Sequence, residues 1–179
     1  MIRIKSTLVL FSLLLFSLSS CINNVDLDQA KDLDFQAPVR MSLINLELSQ
    51  ANFFDETNAV VPLISDESEI HLSEIISHSE TKSIVIDTYC SNTFDTDITL
   101  LSEYYNGDDE QLSLTHQIEI GVNELDSHHE IIIEETDFDE FLLAKKIRVS
   151  VMLDDPSQVS PLLNSEFIMR SSLSVMYKY

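Results

Sequence analysis

Between Leu112 and Ile120 the chain reads Leu-Ser-Leu-Thr-His-Gln-Ile-Glu-Ile, so that Leu112, Leu114, His116, Ile118 and Ile120 alternate with Ser113, Thr115, Gln117 and Glu119. Successive side chains of a strand point to opposite faces, whereas a helix returns to the same face after 3.6 residues, so this run fits a half-buried strand. The same period recurs along the chain. Ile84, Ile86, Thr88 and Cys90 share one phase, Ile98, Leu100 and Tyr104 continue it in the next segment, and Ile147, Val149, Val151 and Leu153 alternate until Asp154-Asp155-Pro156 stops them. From Phe167 a long two-faced strand runs to the end, with Met169, Leu173, Val175, Tyr177 and Tyr179 on one side. Asn106-Gly107 heads the acidic turn Asn-Gly-Asp-Asp-Glu between two of these runs, which predicts a hairpin with one wet face.

Other segments are less regular. Leu43, Ile44, Leu46 and Leu48 suit a first strand, and Ile131-Ile132-Ile133 suits a short one, while residues 52 to 79 stay open, Leu72, Ile75 and Ile76 within them fitting one helical turn as well as a strand. Phe138, Phe141 and Leu142 stand at i, i+3 and i+4 behind a candidate Thr136 or Asp137 cap, with Lys145-Lys146 at the far end, which predicts a helix of about two turns. About seven strands with one short crossover helix make an all-β antiparallel sandwich.

The amino terminus carries a different signal. Arg3 and Lys5 precede an apolar run from Leu8 to Leu18, eleven residues long. A bilayer-spanning helix needs about 20 apolar residues and a signal-peptide core about 7 to 15, so the length selects export over a permanent span. Leu18-Ser19-Ser20-Cys21 then resembles the lipobox of bacterial lipoproteins. That resemblance implies cleavage before Cys21, a diacylglyceryl group on its sulfur, and a second acyl signal on the new amino terminus. One acyl chain holds a protein marginally and two or more anchor it stably. Ile22 stands where an Asp would favour inner-membrane retention, so the outer membrane is the expected address. Residues 1–20 are read as a lipoprotein signal peptide, 21–38 as a lipidated acidic tether ending in Pro38, and 39–179 as the β-sandwich domain.

The layout of lipobox, acidic tether and β domain, with Asn92-Thr93-Phe94-Asp95 after an early strand, resembles small β-sandwich lipoproteins of the Bacteroidota. The resemblance implies an Ig-like sandwich and an envelope address, and it implies no chemistry.

Charge removes one class of partner. Ten Lys and Arg against 31 Asp and Glu give a net charge of -21, and binding to a phosphate backbone depends on clustered cations, so nucleic acid is excluded. An anionic bilayer surface also repels such a chain, which leaves the lipid on Cys21 to hold it at the membrane. With 44% hydrophobic residues the chain still encloses a core. Only 2 glycines occur, and neither G-x-G-x-x-G nor G-x-x-x-x-G-K-[ST] can be written from them, so no nucleotide cofactor is expected. The absence of Trp weakens a sugar-stacking role.

Candidate sites are few. His128-His129-Glu130 carries metal-ligand chemistry, but adjacent residues diverge on a strand, so the histidines are expected in a solvated loop with no metal. Asp108-Asp109-Glu110 and the acids from Glu134 to Glu140 lack the calcium-loop pattern. Cys90 shares the phase of Ile84 and Ile86 and reads as a buried structural thiol. Carboxylates are too abundant to single out a glycosidase pair. With Tyr104 on the inner phase, Tyr105 should face outward beside the acidic turn, making Tyr105, Asp108, Asp109 and Glu110 the candidate partner-binding surface. The expectation is a non-catalytic envelope lipoprotein that serves as a binding or assembly accessory for another envelope protein. The alternative is a surface-exposed carbohydrate-active or carbohydrate-binding lipoprotein.

Overall fold

The computed structural model describes residues 38 to 177. The signal peptide, Cys21, the tether up to residue 37, and Tyr179 lie outside the described residues.

Eight strands form: β1 (Val39–Ser49), β2 (Leu63–Glu69), β3 (Thr81–Asn92), β4 (Ile98–Tyr105), β5 (Gln111–Ile120), β6 (Ser127–Ile133), β7 (Lys146–Leu153) and β8 (Glu166–Tyr177). Two short α-helices, α1 (Leu72–Ile75) and α2 (Phe138–Leu142), interrupt them. Every strand pairing is antiparallel, in two four-stranded sheets ordered β1-β8-β3-β6 and β2-β7-β4-β5. The all-β antiparallel sandwich expected from the alternation is therefore the architecture observed.

Its strand order differs from the Ig-like one. β1 pairs with β8, β2 with β7, β3 with β6 and β4 with β5, so the chain is one long hairpin with its tip at the β4–β5 turn, rolled so that successive pairs fall in alternate sheets. This is the eight-stranded jelly-roll order, whereas an Ig-like sandwich groups seven strands as ABED and CFG. Alternation reports which face of a strand is buried and carries no information about which strands pair.

The eighth strand is β2, Leu-Ile-Ser-Asp-Glu-Ser-Glu, within the segment whose structure the alternation leaves open. As an edge strand with no fully buried side chain it has no apolar face to print on the sequence. It is held by its ladder with β7 and by Glu67, which pairs with both Arg148 and Lys146 of that strand.

Between the sheets lie Ile84 and Ile86 of β3, Ile98, Leu100 and Tyr104 of β4, Val149 and Val151 of β7, and Phe167, Leu173 and Val175 of β8, each almost fully buried. On β5 the inner phase holds, but only Ile120 is fully buried, because β5 is also an edge; Leu112, Leu114 and Ile118 are half-buried against the core. Cys90 is buried and free, and burial pushes its thiol up to about 12.

The crossover between β6 and β7 departs from expectation in detail. Glu135–Asp137 is a 3-10 turn leading into α2, and neither Thr136 nor Asp137 caps a helix backbone; the Thr136 hydroxyl instead donates to the Asp137 carboxylate. Burial of Phe138, Phe141 and Leu142 holds the segment, with Phe141 packed edge-on against Tyr104 at 5.3 Å between ring centroids. Lys146 does not end the helix but opens β7, and Lys145 reaches Ser73.

Asn92 explains the Asn-Thr-Phe-Asp segment. Its fully buried side-chain amide donates to the Thr96 and Gly121 carbonyls at 3.0 and 2.9 Å, and its Oδ1 accepts from the Phe94 amide at 2.9 Å. These bonds tie the β3–β4 connection to the end of β5 and seat Phe94 against Phe53, 5.9 Å away edge to face.

Candidate interaction surfaces

The β4–β5 turn is organised by Asn106, whose Oδ1 accepts from the amides of Asp108 and Glu110 at 2.9 and 3.0 Å. Asp109, not Gly107, takes the left-handed conformation, with φ 61°. Asn106 also donates to the Glu110 carboxylate at 3.0 Å.

Tyr104 points inward as expected, and Tyr105 lies on the opposite face of its sheet. That face does not leave Tyr105 exposed: only 8% of its surface remains accessible. Lys146 and Arg148 of the neighbouring β7 lie over it, with Lys146 Nζ 5.3 Å and Arg148 Cζ 4.7 Å from the ring centroid. Long cationic side chains cover apolar surface with their stems while their heads stay wet, so an outward phase on a sheet does not guarantee exposure. The expectation of an exposed Tyr105 is corrected accordingly.

The same cations also pair with acids, Lys146 with Asp109 of the turn and both with Glu67 of β2. Lys146 Nζ stands 2.6 Å from Asp109 Oδ1 and 3.3 Å from Glu67, and Arg148 donates from Nε at 2.7 Å and from Nη2 at 2.5 Å to Glu67 Oε1. The Arg148 and Lys146 hydrogen bonds hold the Glu67 carboxyl below its ordinary range, and the Lys146 bond does the same for Asp109. Of the four residues expected to form a binding surface, Tyr105 and Asp109 are thus engaged within the fold. Asp108, Asp109 and Glu110 all remain exposed on the turn.

The other sheet presents a different outer face. On β3 the positions Val85, Asp87, Tyr89 and Ser91 point away from the core, and the register sets Tyr89 opposite His128 and Asp87 opposite Glu130 on β6, with Arg170 beside Tyr89 on β8. Tyr89 is 51% exposed and stacks on the His128 imidazole, 4.4 Å between centroids and 9° between planes. Asp87 Oδ1 lies 3.0 Å from His128 Nε2, and Asp87 Oδ2 accepts from the Ser174 hydroxyl at 3.2 Å. A concavity of about 280 Å³ opens between Tyr89, Ser91, Asp126, Ile168 and Arg170.

His128 and His129 therefore sit on a strand and not in the loop expected for them. Their divergence holds, since His129 faces the other side, but His128 and Glu130, two apart, share a face and meet Asp87 from the next strand. No spacing within the sequence links Asp87 to them, because a pairing across strands that are 41 residues apart is a tertiary fact. The exposed aromatic sought at Tyr105 is found at Tyr89, whose odd-numbered phase on β3 is opposite to that of Cys90.

No helix among the described residues is long and apolar enough to cross a membrane. No family model matches the sequence, and no curated protein matches it. Similarity to solved structures is similarity of fold alone. A Parabacteroides distasonis protein described as secreted aligns with a TM-score of 0.51 at 12% identity, over 63% of this chain and 37% of its own. The infectious bursal disease virus VP2 subviral particle aligns with a TM-score of 0.42 at 9% identity, over 80% of this chain and 33% of its own. PfGH50B aligns with a TM-score of 0.42 at 12% identity, over 76% of this chain and 22% of its own. The chain thus spans well under half the length of each of these proteins.

Proposed function

We propose that this chain is a cell-envelope lipoprotein, anchored in the outer membrane through lipid on Cys21, whose sandwich acts without catalysis as a binding or assembly accessory for another envelope protein. The lipobox supports the address. The Cys90 thiol, pushed up by burial, is poorly suited to act as a nucleophile.

The observation that carries the reading is the outer face of the β1-β8-β3-β6 sheet, where an exposed tyrosine is braced by a stacked imidazole and flanked by Arg170. Aromatic and Arg side chains dominate protein contact surfaces, and the stack lowers the entropy that Tyr89 would lose on binding. The test is a photo-crosslinking amino acid placed at position 89 of the full chain in intact envelopes, compared with position 115 on the opposite sheet. A discrete adduct at 89 and none at 115 is the expected result; adducts at neither position, or equally at both, would contradict the reading.

One observation favours the carbohydrate-binding alternative: the Tyr89 ring borders a concavity that also holds Asp126 and Arg170, an aromatic surface beside polar groups. Saturable binding of a soluble oligosaccharide that Tyr89→Ala abolishes would select it.

A further inference from the structure

We propose that Asp87, His128 and Glu130 form a site for a divalent transition-metal ion of the zinc class on the outer face of the β1-β8-β3-β6 sheet. One ligand atom from each residue can be chosen so that all three lie within 4.8 Å of one another. Metal–nitrogen bonds of about 2.0–2.1 Å and metal–oxygen bonds of about 2.0–2.2 Å put neighbouring donor atoms roughly 2.9–3.4 Å apart. The 3.0 Å between His128 Nε2 and Asp87 Oδ1 falls on that edge, so the pair accepts an ion with little movement. The third donor is an exposed carboxylate, free to close the remaining distance by rotation.

Two neighbouring strands carry the donors. His128 and Glu130 are i and i+2 on β6, Asp87 is the ladder partner of Glu130 on β3, and β3 is itself flanked by β8. Outer contacts orient two of the three: the Ser174 hydroxyl holds Asp87 Oδ2, which turns Oδ1 toward the imidazole, and the Tyr89 ring lies flat on His128 and fixes its plane. Such supporting contacts are a recurrent part of metal sites. Two carboxylates and a neutral imidazole supply two negative charges, which match a divalent ion. One nitrogen with two oxygens suits zinc and its neighbours, whereas calcium takes six to eight oxygens. His128 and Asp87 keep 38% and 13% of their side-chain surface exposed, so water completes the coordination and the site stays open on one side.

The full chain, solubilised in detergent and stripped with a chelator, is titrated with zinc sulfate against a chromogenic zinc indicator. One equivalent should bind at micromolar or lower concentration. Asp87→Asn, His128→Gln and Glu130→Gln should each weaken that equivalent at least tenfold, and His71→Gln, at an exposed histidine elsewhere, should leave it unchanged. Melting curves of the stripped proteins check folding, and zinc should raise the wild-type melting temperature more than that of His128→Gln. Failure of the wild type to bind a stoichiometric ion would overturn the site, as would affinity retained in all three variants.

Discussion

Arg148 donates a 2.7 Å hydrogen bond from Nη1 to the Tyr105 hydroxyl while its guanidinium carbon lies 4.7 Å from the centroid of the same ring. A single cation thereby fixes both the polar and the aromatic part of a side chain that strand alternation places on the outside. Tyr105 is in consequence a structural residue. Tyr105→Ala should cost about 3 kcal/mol, in the range for removing a buried aromatic, and Tyr105→Phe about 1 kcal/mol for the lost hydrogen bond. Urea unfolding followed by circular dichroism measures both, and an unchanged midpoint for Tyr105→Ala would show the ring to be dispensable.

Asn92→Ala removes the amide that joins Thr96 and Gly121 and leaves buried backbone groups unpaired. The expected loss is about 2–4 kcal/mol by denaturant titration. Asp95→Ala, at an exposed position of the same segment, should leave the midpoint where it was.

Leu114 is half-buried on the inner phase of β5, and Thr115 is exposed on the outer one. Leu114→Asp should therefore destabilise by about 2 kcal/mol and Thr115→Asp by no more than about 0.5 kcal/mol. Equal shifts in melting temperature would contradict that register.

His116 connects the core to pH. Burial lowers its pKa below the ordinary 6.5, with Asp137 opposing the shift in part, and its Nδ1 lies 3.3 Å from the Tyr104 hydroxyl. A histidine depressed in the folded state takes up its proton more readily in the unfolded one, so its contribution is intact above pH 6.5 and is lost as pH falls through the folded value. Stability should decline on acidification from that point, and His116→Gln should flatten this part of the profile. A second decline follows in stronger acid, as pH falls below the ordinary 3.8 and 4.5 of Asp109 and Glu67 and their ion pairs with Lys146 and Arg148 are protonated away.

Where one face of a strand is buried, the sequence announces it. Val149 and Val151, Ile84 and Ile86, and the inner phase of β5 all stand as the alternation requires. The signal fails where burial is not the organising force. β2 turns only Ile64 against the core and is placed by its ladder with β7 and by the two cations that pair with Glu67, so its seven residues print no period. The exposure of Tyr105 depends on the reach of Lys146 and Arg148 from a strand 41 residues on, and the grouping of Asp87 with His128 and Glu130 depends on the β3–β6 register. Both follow from strand pairing, and so does the jelly-roll order itself. The local chemistry of His128-His129-Glu130 was visible, while the residue that completes it was not.

The functional reading requires a chain held at a membrane through Cys21, and metabolic labelling with palmitate in the native host tests that requirement most directly. The wild type should carry label and sediment with outer membranes, and Cys21→Ala should carry none and leave the membrane fraction or persist as an uncleaved precursor. An unlabelled wild type, or label retained by Cys21→Ala, would contradict the account.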